Sequence, residues 1–331
     1  MPNEKPRGRR KAAAKWWQAP DFRKDWPRWS IAALVILAVL LCIFFFLRQR
    51  HRHEIYGEPW KDFSGAKALA HVQALVDFGP RPPETAAIEK SRAYIRKNLE
   101  QDGWQMTEQH FTDDTPRGPV SFVNLIARRP NEPPDAKYFL LSSHYDTKTF
   151  DAFRFVGADD GGSSTGALLE MARVLNLHPA LAAQIELVFF DGEEAYEKFS
   201  ATDGLYGSRY FARRIEETKT AQNYRGGILW DMIGDRNLTI TLSPDSPAQL
   251  ALGIFAAADA LGDRKYFTYF TSDVLDDHTP LNKIGIDTID LIDFDYPPWH
   301  TAGDTMDKLS AGSLQIVGAV TAYYLAQIAF E

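Results

Sequence analysis

The 331-residue sequence contains a single cysteine, Cys42. No intrachain disulfide is possible, and cysteine usage neither demands nor excludes an oxidising compartment. Internal repeats are absent, and no long linker follows residue 60. Basic charge is scarce beyond the first 53 residues. That opening stretch carries 12 Lys and Arg against 3 acids, whereas residues 54–331 carry 25 against 41. A body this acidic is a poor partner for nucleic acid. It suits cations instead, either metal ions or the ammonium end of a peptide. Apolar residues make up 45% of the chain and aromatics 13%, enough for a sizeable core and too much for disorder.

One long apolar run is present. Residues 31–47, "IAALVILAVLLCIFFFL", are 17 apolar residues without a charge, and a spanning helix needs roughly 17–25. Trp26, Trp29 and Tyr56 are candidates for the membrane interface. Nine Lys and Arg precede the run and three follow closely. This bias predicts a cytoplasmic N-terminus and a body on the far side of the membrane, periplasmic if the host is bacterial. A cleaved signal peptide would need small residues just after the run, and "RQRHRHEIYG" offers none. The expected organisation is a basic cytoplasmic tail (1–29), a transmembrane signal anchor (30–48), a linker (49–60) and a catalytic domain (61–331).

In the body, apolar strand-like segments alternate with amphipathic helical ones. Helical periodicity covers 66–79, which stops at Gly79-Pro80, and a second helix ends near Gly103. "QMTEQHFT" and "VSFVNLIARR" alternate as a hairpin would. Strands are expected at 138–146, 184–192, 226–234, 237–243 and 285–294. Helices are expected at 163–177, 207–217 and 248–262, and a closing helix over the last 20 residues. The alternation predicts an α/β protein with three layers, α/β/α, around a mixed, largely parallel sheet. Sites in such sheets form at the carboxyl ends of strands.

Polar groups of one kind collect at those ends. His144 and Asp146 follow one strand, Asp159 and Asp160 occupy the next loop, and Glu193 and Glu194 follow another in "VFFDGEEA". Asp231 ends a fourth strand, and "PPWHTAGD" supplies His300. A buried carboxylate is costly unless paired or metal-bound. Histidine mixed with carboxylates suits a zinc-type ion. Alone, a His beside a strand is more often a surface or satisfied core residue, "DGEE" is more often a solvated turn, and "GADDGG" reads as a bare turn or a capped helix start. Their convergence is what points to a site.

Taken in order, "HYD", "GADDGGSSTGALLEMAR", "VFFDGEEA", "LWDMIG", "DDH" and "WHTAGDTMDKLS" resemble the co-catalytic zinc aminopeptidases and their relatives, the animal-type glutaminyl-peptide cyclotransferases. The resemblance covers roughly residues 60–331. It implies metal ligands at His144, Asp160, Glu194, Asp231 and His300. It also implies Asp146 behind His144 as its orienting carboxylate, and Glu193 as general acid and base. In the aminopeptidases two zinc ions activate a water. In the cyclases one zinc, held by the residues matching Asp160, Glu194 and His300, polarises the γ-amide of an N-terminal glutamine.

Several segments favour the cyclase. "ATDGLYGSRYFA" and the doubled acid of "LDDHTP" resemble the cyclases, with Asp276 in the role of hydrogen-bonding the reacting amide. Trp299 matches their pocket tryptophan, and Phe199 stands where many carry a second one. Asp290 stands where the animal enzymes have histidine, and Ser143 and Thr165 occupy their disulfide positions. The resemblance therefore implies conversion of N-terminal glutamine of peptides or proteins to pyroglutamate with one zinc. The alternative is an aminopeptidase with one or two metal ions.

Overall fold

The computed structural model describes residues 28–130 and 136–330. The chain divides between Arg50 and His51 into two compact units. The first is represented by most of the helix Arg28–Tyr56. Its segment Ala33–Tyr56 is long and apolar enough to cross a membrane, and its most apolar window is not buried at all. Such a helix suits either a membrane anchor or a signal sequence. Residues 1–27 of the expected tail, Trp26 among them, lie outside the described residues. The stretch expected as a linker is helical to Tyr56 and again over Pro59–Asp62. Tyr56 accepts a hydrogen bond from Gln184 at 2.7 Å and meets the ring of Phe330.

The second unit is built on an eight-stranded sheet. Its strands are β1 (Gln105–Thr115), β2 (Gly118–Arg128), β3 (Tyr138–His144), β4 (Ile185–Phe190), β5 (Tyr224–Asp231), β6 (Ile240–Leu242), β7 (Phe267–Tyr269) and β8 (Thr288–Ile292). Their spatial order is β1-β2-β4-β3-β5-β8-β6-β7. The central four, β4-β3-β5-β8, are mutually parallel. Antiparallel pairings join β2 to β4 and β6 to β8, so the sheet is mixed at its flanks.

Alternation along the central strands creates the layers. Leu141 of β3 and Leu187 and Phe189 of β4 enter one apolar cluster. The intervening Leu140, Val188 and Phe190 enter another, with Phe211 and Ile215. Each fully buried Phe or Leu contributes about 1.5–3 kcal/mol. The larger cluster packs helices Gly65–Phe78, Gly162–Leu177, Ala248–Leu261 and Ala311–Gln327 on one face. Helices Tyr206–Thr218 and His278–Lys283 cover the other.

This is the expected α/β/α architecture. The sequence pattern did not indicate β7, three residues long, or the helix His278–Lys283, only six. Both are too short to show a period. Ser143 and Thr165 do face each other, with hydroxyl oxygens 3.4 Å apart.

Candidate active site

The parallel strands deliver their carboxyl ends to one rim. His144 pairs with Phe190 in register, and Asp231 with Ile292. Beyond Phe190 the chain turns at Gly192, which sits at φ +67°. A side chain there would run into Phe122. The turn is tied down on both sides. The fully buried Asp191 accepts from Arg92 Nη2 at 2.5 Å and from the Val123 backbone at 2.7 Å. Asp146 accepts the backbone N–H of Glu193 at 3.1 Å and of Glu194 at 3.3 Å. Two adjacent glutamates are thus fixed at the end of a core strand.

Two trios of ligand-type side chains result. One is His144, Asp160 and Asp231; the other is Asp160, Glu194 and His300. His144 Nε2 lies 3.2 Å from Asp231 Oδ1 and 3.3 Å from Asp160 Oδ1. His300 Nε2 lies 3.3 Å from Asp160 Oδ2 and 3.3 Å from Glu194 Oε2. A tetrahedral zinc with bonds of about 2.0–2.1 Å separates its ligand atoms by about 3.3–3.4 Å. Asp160 Oδ2 is buried, and the imidazole of His300 at 3.3 Å is the polar group that faces it. The imidazole and carboxylate donors therefore fit a zinc-type cation, with Asp160 common to both trios.

The sequence reading missed the groups that hold these ligands. Asp304 accepts the backbone N–H of Asp159 and of Asp160. Asp159 Oδ1 accepts from Gly234, locking the loop after β5. Lys148 reaches Glu194, with Nζ 3.5 Å from Oε2 and its backbone N–H 3.2 Å from Oε1. Arg81, fully buried, donates to the carbonyls of Tyr145, Val156 and Gly157 and so shapes the loop before Asp160. Asp146 has a second duty besides its 3.4 Å contact with His144 Nδ1, namely the two glutamate amides.

Proton affinities separate the acids. Burial pushes Glu193 well above the usual carboxylate range, and the charges of Glu194, Asp276 and Asp277 add to this against the pull of His144. Burial and the neighbouring Asp290 do the same to Asp276. Burial opposes ionisation of Asp160 as well, but hydrogen bonds from His144 and His300 outweigh it and hold it low. Burial pulls His300 down, yet its bonds to Asp160 and Glu194 leave it raised to about 9. The centre therefore favours bound positive charge, and Glu193 and Asp276 are the acids whose proton affinity burial raises.

These groups line one cavity of about 160 Å³, together with Phe199, Phe294 and Trp299. Drug-sized sites run to roughly 300–1,000 Å³, so this one suits a single side chain. Trp299 stacks on His300 with centroids 4.3 Å apart and meets Phe294 edge-on. Met232 and His300, both lining the cavity, have φ of 46° and 54°. Such strain is held at ligand-binding positions by the surrounding packing. Of the residues named from the sequence, Asp160, Glu193, Glu194, Phe199, Asp231, Asp276, Trp299 and His300 line this cavity, and His144 and Asp146 stand behind Asp160, Asp231 and the two glutamates.

Fold and site together define an α/β/α enzyme with a candidate metal centre and a small aromatic-walled pocket. The model of peptidase family M28 matches residues 124–325. The glutaminyl-peptide cyclotransferase of Bothrops jararaca is 30% identical over 273 residues, 71% of this chain and 73% of that protein. The crystal structure of Acidobacteriales bacterium glutaminyl cyclase superposes with a TM-score of 0.74 at 34% identity, covering 80% of this chain and 94% of that one. A Zn-dependent exopeptidase from Parabacteroides distasonis superposes at 0.72 with 28% identity, covering 80% and 98%. The chain belongs to peptidase family M28 and, within it, to the glutaminyl-peptide cyclotransferases.

Proposed function

We propose that the protein converts the N-terminal glutamine of peptides to pyroglutamate with release of ammonia. The observation that carries this reading is the small cavity in which two buried carboxyl groups, Glu193 and Asp276, face an aromatic wall. An intramolecular ring closure needs a confined, dry pocket, and it needs no external water to break the bond. Trp299 and Phe199 would fold the glutamine side chain back towards its own α-amine.

Asp160, Glu194 and His300 would hold the metal. A zinc ion bound there would polarise the γ-carbonyl as a Lewis acid. The α-amine attacks the γ-carbon, forming the ring C–N bond while the bond to the amide nitrogen breaks. Glu193 takes the proton shed by the amine and gives it to the departing ammonia. Asp276 hydrogen-bonds the reacting amide, and Asp231 supports it from the end of β5.

A second reading has one specific observation in its favour. His144 and Asp231 complete a second trio around Asp160, which a two-metal aminopeptidase would use with Glu193 deprotonating water. Incubation with a Gln-initiated peptide and with a Leu-initiated chromogenic amide decides. Loss of one ammonia from the first supports the cyclase. Cleavage of the second alone overturns it.

We infer that residues 30–48 form an uncleaved anchor, because the apolar run is followed by "RQRHRHEIYG", which lacks the small residues of a cleavage site. Nine basic residues before the run and three after it favour a cytoplasmic tail and an extracytoplasmic catalytic domain, periplasmic in a bacterium. The substrates would be peptide or protein N-termini on that side.

A further inference from the structure

A second depression of about 620 Å³ adjoins the active-site cavity, between helices Tyr206–Thr218 and His278–Lys283. The two are contiguous at two points. Leu275 lines both. Phe199 lines the cavity and the next residue, Ser200, lines the groove. The floor of the groove is apolar, with Leu205, Ala212, Pro280 and Ile284.

Its rim carries Arg209, Arg213 and Lys283 against a single acid, Glu216. That balance inverts the charge of the body, which is strongly acidic. Arg213 and Lys283 are exposed and form no ion pair among the described residues. Arg213 lies over the ring of Tyr210, which holds its charge in place. Arg209 is held by Asp113 at 3.8 Å and by the carbonyls of Ala201 and Thr202. Two cations without an ion-pair partner among the described residues, Arg213 and Lys283, thus stand with Arg209 beside an apolar trough that shares Leu275 with the reaction cavity.

Resting on the cyclase reading, we propose that this groove receives the residues following the N-terminal glutamine and selects peptides with a carboxylate there. The carboxylate-rich cavity would take the cationic N-terminus, and the basic rim the acid a few residues on. Electrostatic complementarity of this kind sets specificity more than raw affinity.

The test compares three peptides differing only at the positions after glutamine, with Glu, Ala or Lys, alongside glutamine amide as a minimal substrate. For the full chain, kcat/KM is expected to fall in the order Glu, Ala, Lys. Successive steps of about threefold to tenfold are what two or three exposed charge pairs give. The steps should shrink as salt is raised. The double variant Arg213→Glu/Lys283→Glu should reverse the order and leave the minimal substrate unchanged.

Binding of the same labelled peptides by fluorescence anisotropy reads the groove independently of turnover. Loss of all cyclisation with the binding order intact would remove the cyclase reading and keep the groove. Equal binding and equal turnover of the three peptides, or a preference that survives the double variant, would overturn it.

Discussion

Asp304 Oδ2 accepts the backbone N–H of Asp160 at 3.2 Å. The same carboxylate takes the Asp159 N–H at 2.8 Å and the Tyr296 hydroxyl at 2.8 Å. Asp160 is the ligand common to both trios, and Asp304 lies on the segment that also supplies His300. One short stretch therefore places one ligand directly and another through its backbone. Removing such a support typically costs about 10–100-fold in metal affinity. Asp304→Ala is expected to lose zinc to a chelator at a correspondingly lower concentration, with activity falling in parallel. Wild-type zinc affinity in this variant would show that the Asp160 loop holds itself.

Adjacent glutamates invite a separation of roles. Glu193→Gln should keep zinc and lose turnover by about 10²–10⁴-fold, the usual worth of a general acid and base. Glu194→Gln should lose zinc, because it removes an anion from the trio with Asp160 and His300. Metal analysis of the purified variants and rates on one Gln-initiated peptide measure both. A Glu193→Gln enzyme with near-normal rate would move the proton transfer elsewhere, to Asp276 in the first instance.

The histidines test the metal count. Under the cyclase reading, His300→Ala loses the zinc that serves catalysis, and His144→Gln keeps one per chain. If wild-type protein binds two zinc ions and His144→Gln binds one with loss of Leu-amide cleavage, the peptidase reading takes its place.

The strand ends were legible because period and chemistry agreed. Phe189 and Phe190 close a fully buried run, and acids directly after such a run need an explanation that a surface turn does not. Groups that act through the backbone left no comparable mark. Asp304 lies in "TAGDT" and looks like a turn residue, yet its partners are amides some 145 positions earlier. Asp191, in "VFFDGEEA", carries no mark of its partner Arg92, which comes from the helix Ala86–Gln101. Ion pairs between distant elements follow from topology, which composition and spacing do not encode. The groove beside Leu275 is of the same kind, since its cations come from two helices that meet only in the fold.

Gly192 is where sequence and strain meet most directly. Its φ of +67° favours glycine, and an added methyl would collide with the ring of Phe122. Gly192→Ala should cost about 1–3 kcal/mol through overpacking and about 1–3 kcal/mol more through the backbone. The urea midpoint is expected to fall with an unchanged m-value. Because the turn carries Glu193 and Glu194, zinc affinity should fall with it. A variant of unaltered midpoint would mean that Phe122 and the turn relax freely.

His278 gives the acid limb of stability a specific origin. It is almost fully buried, and burial holds its pKa down at about 4, against an ordinary 6.5 and despite the charge of Asp245. Asp290 Oδ2 stands 3.8 Å from its Nδ1. Between pH 6.5 and 4 the unfolded chain binds a proton that the folded chain does not. Stability from this group is therefore fully present above pH 6.5 and is lost as pH falls towards 4. Over that window the loss amounts to about 3 kcal/mol. Raised acids such as Asp277, at about 7, and Asp304, at about 6, act with the opposite sign, so the difference between two proteins isolates the histidine. Urea unfolding of wild type and His278→Asn at pH 7 and pH 4.5 measures it. The wild type should lose about 2 kcal/mol more than the variant between the two pH values, and equal losses would assign the acid sensitivity to other groups.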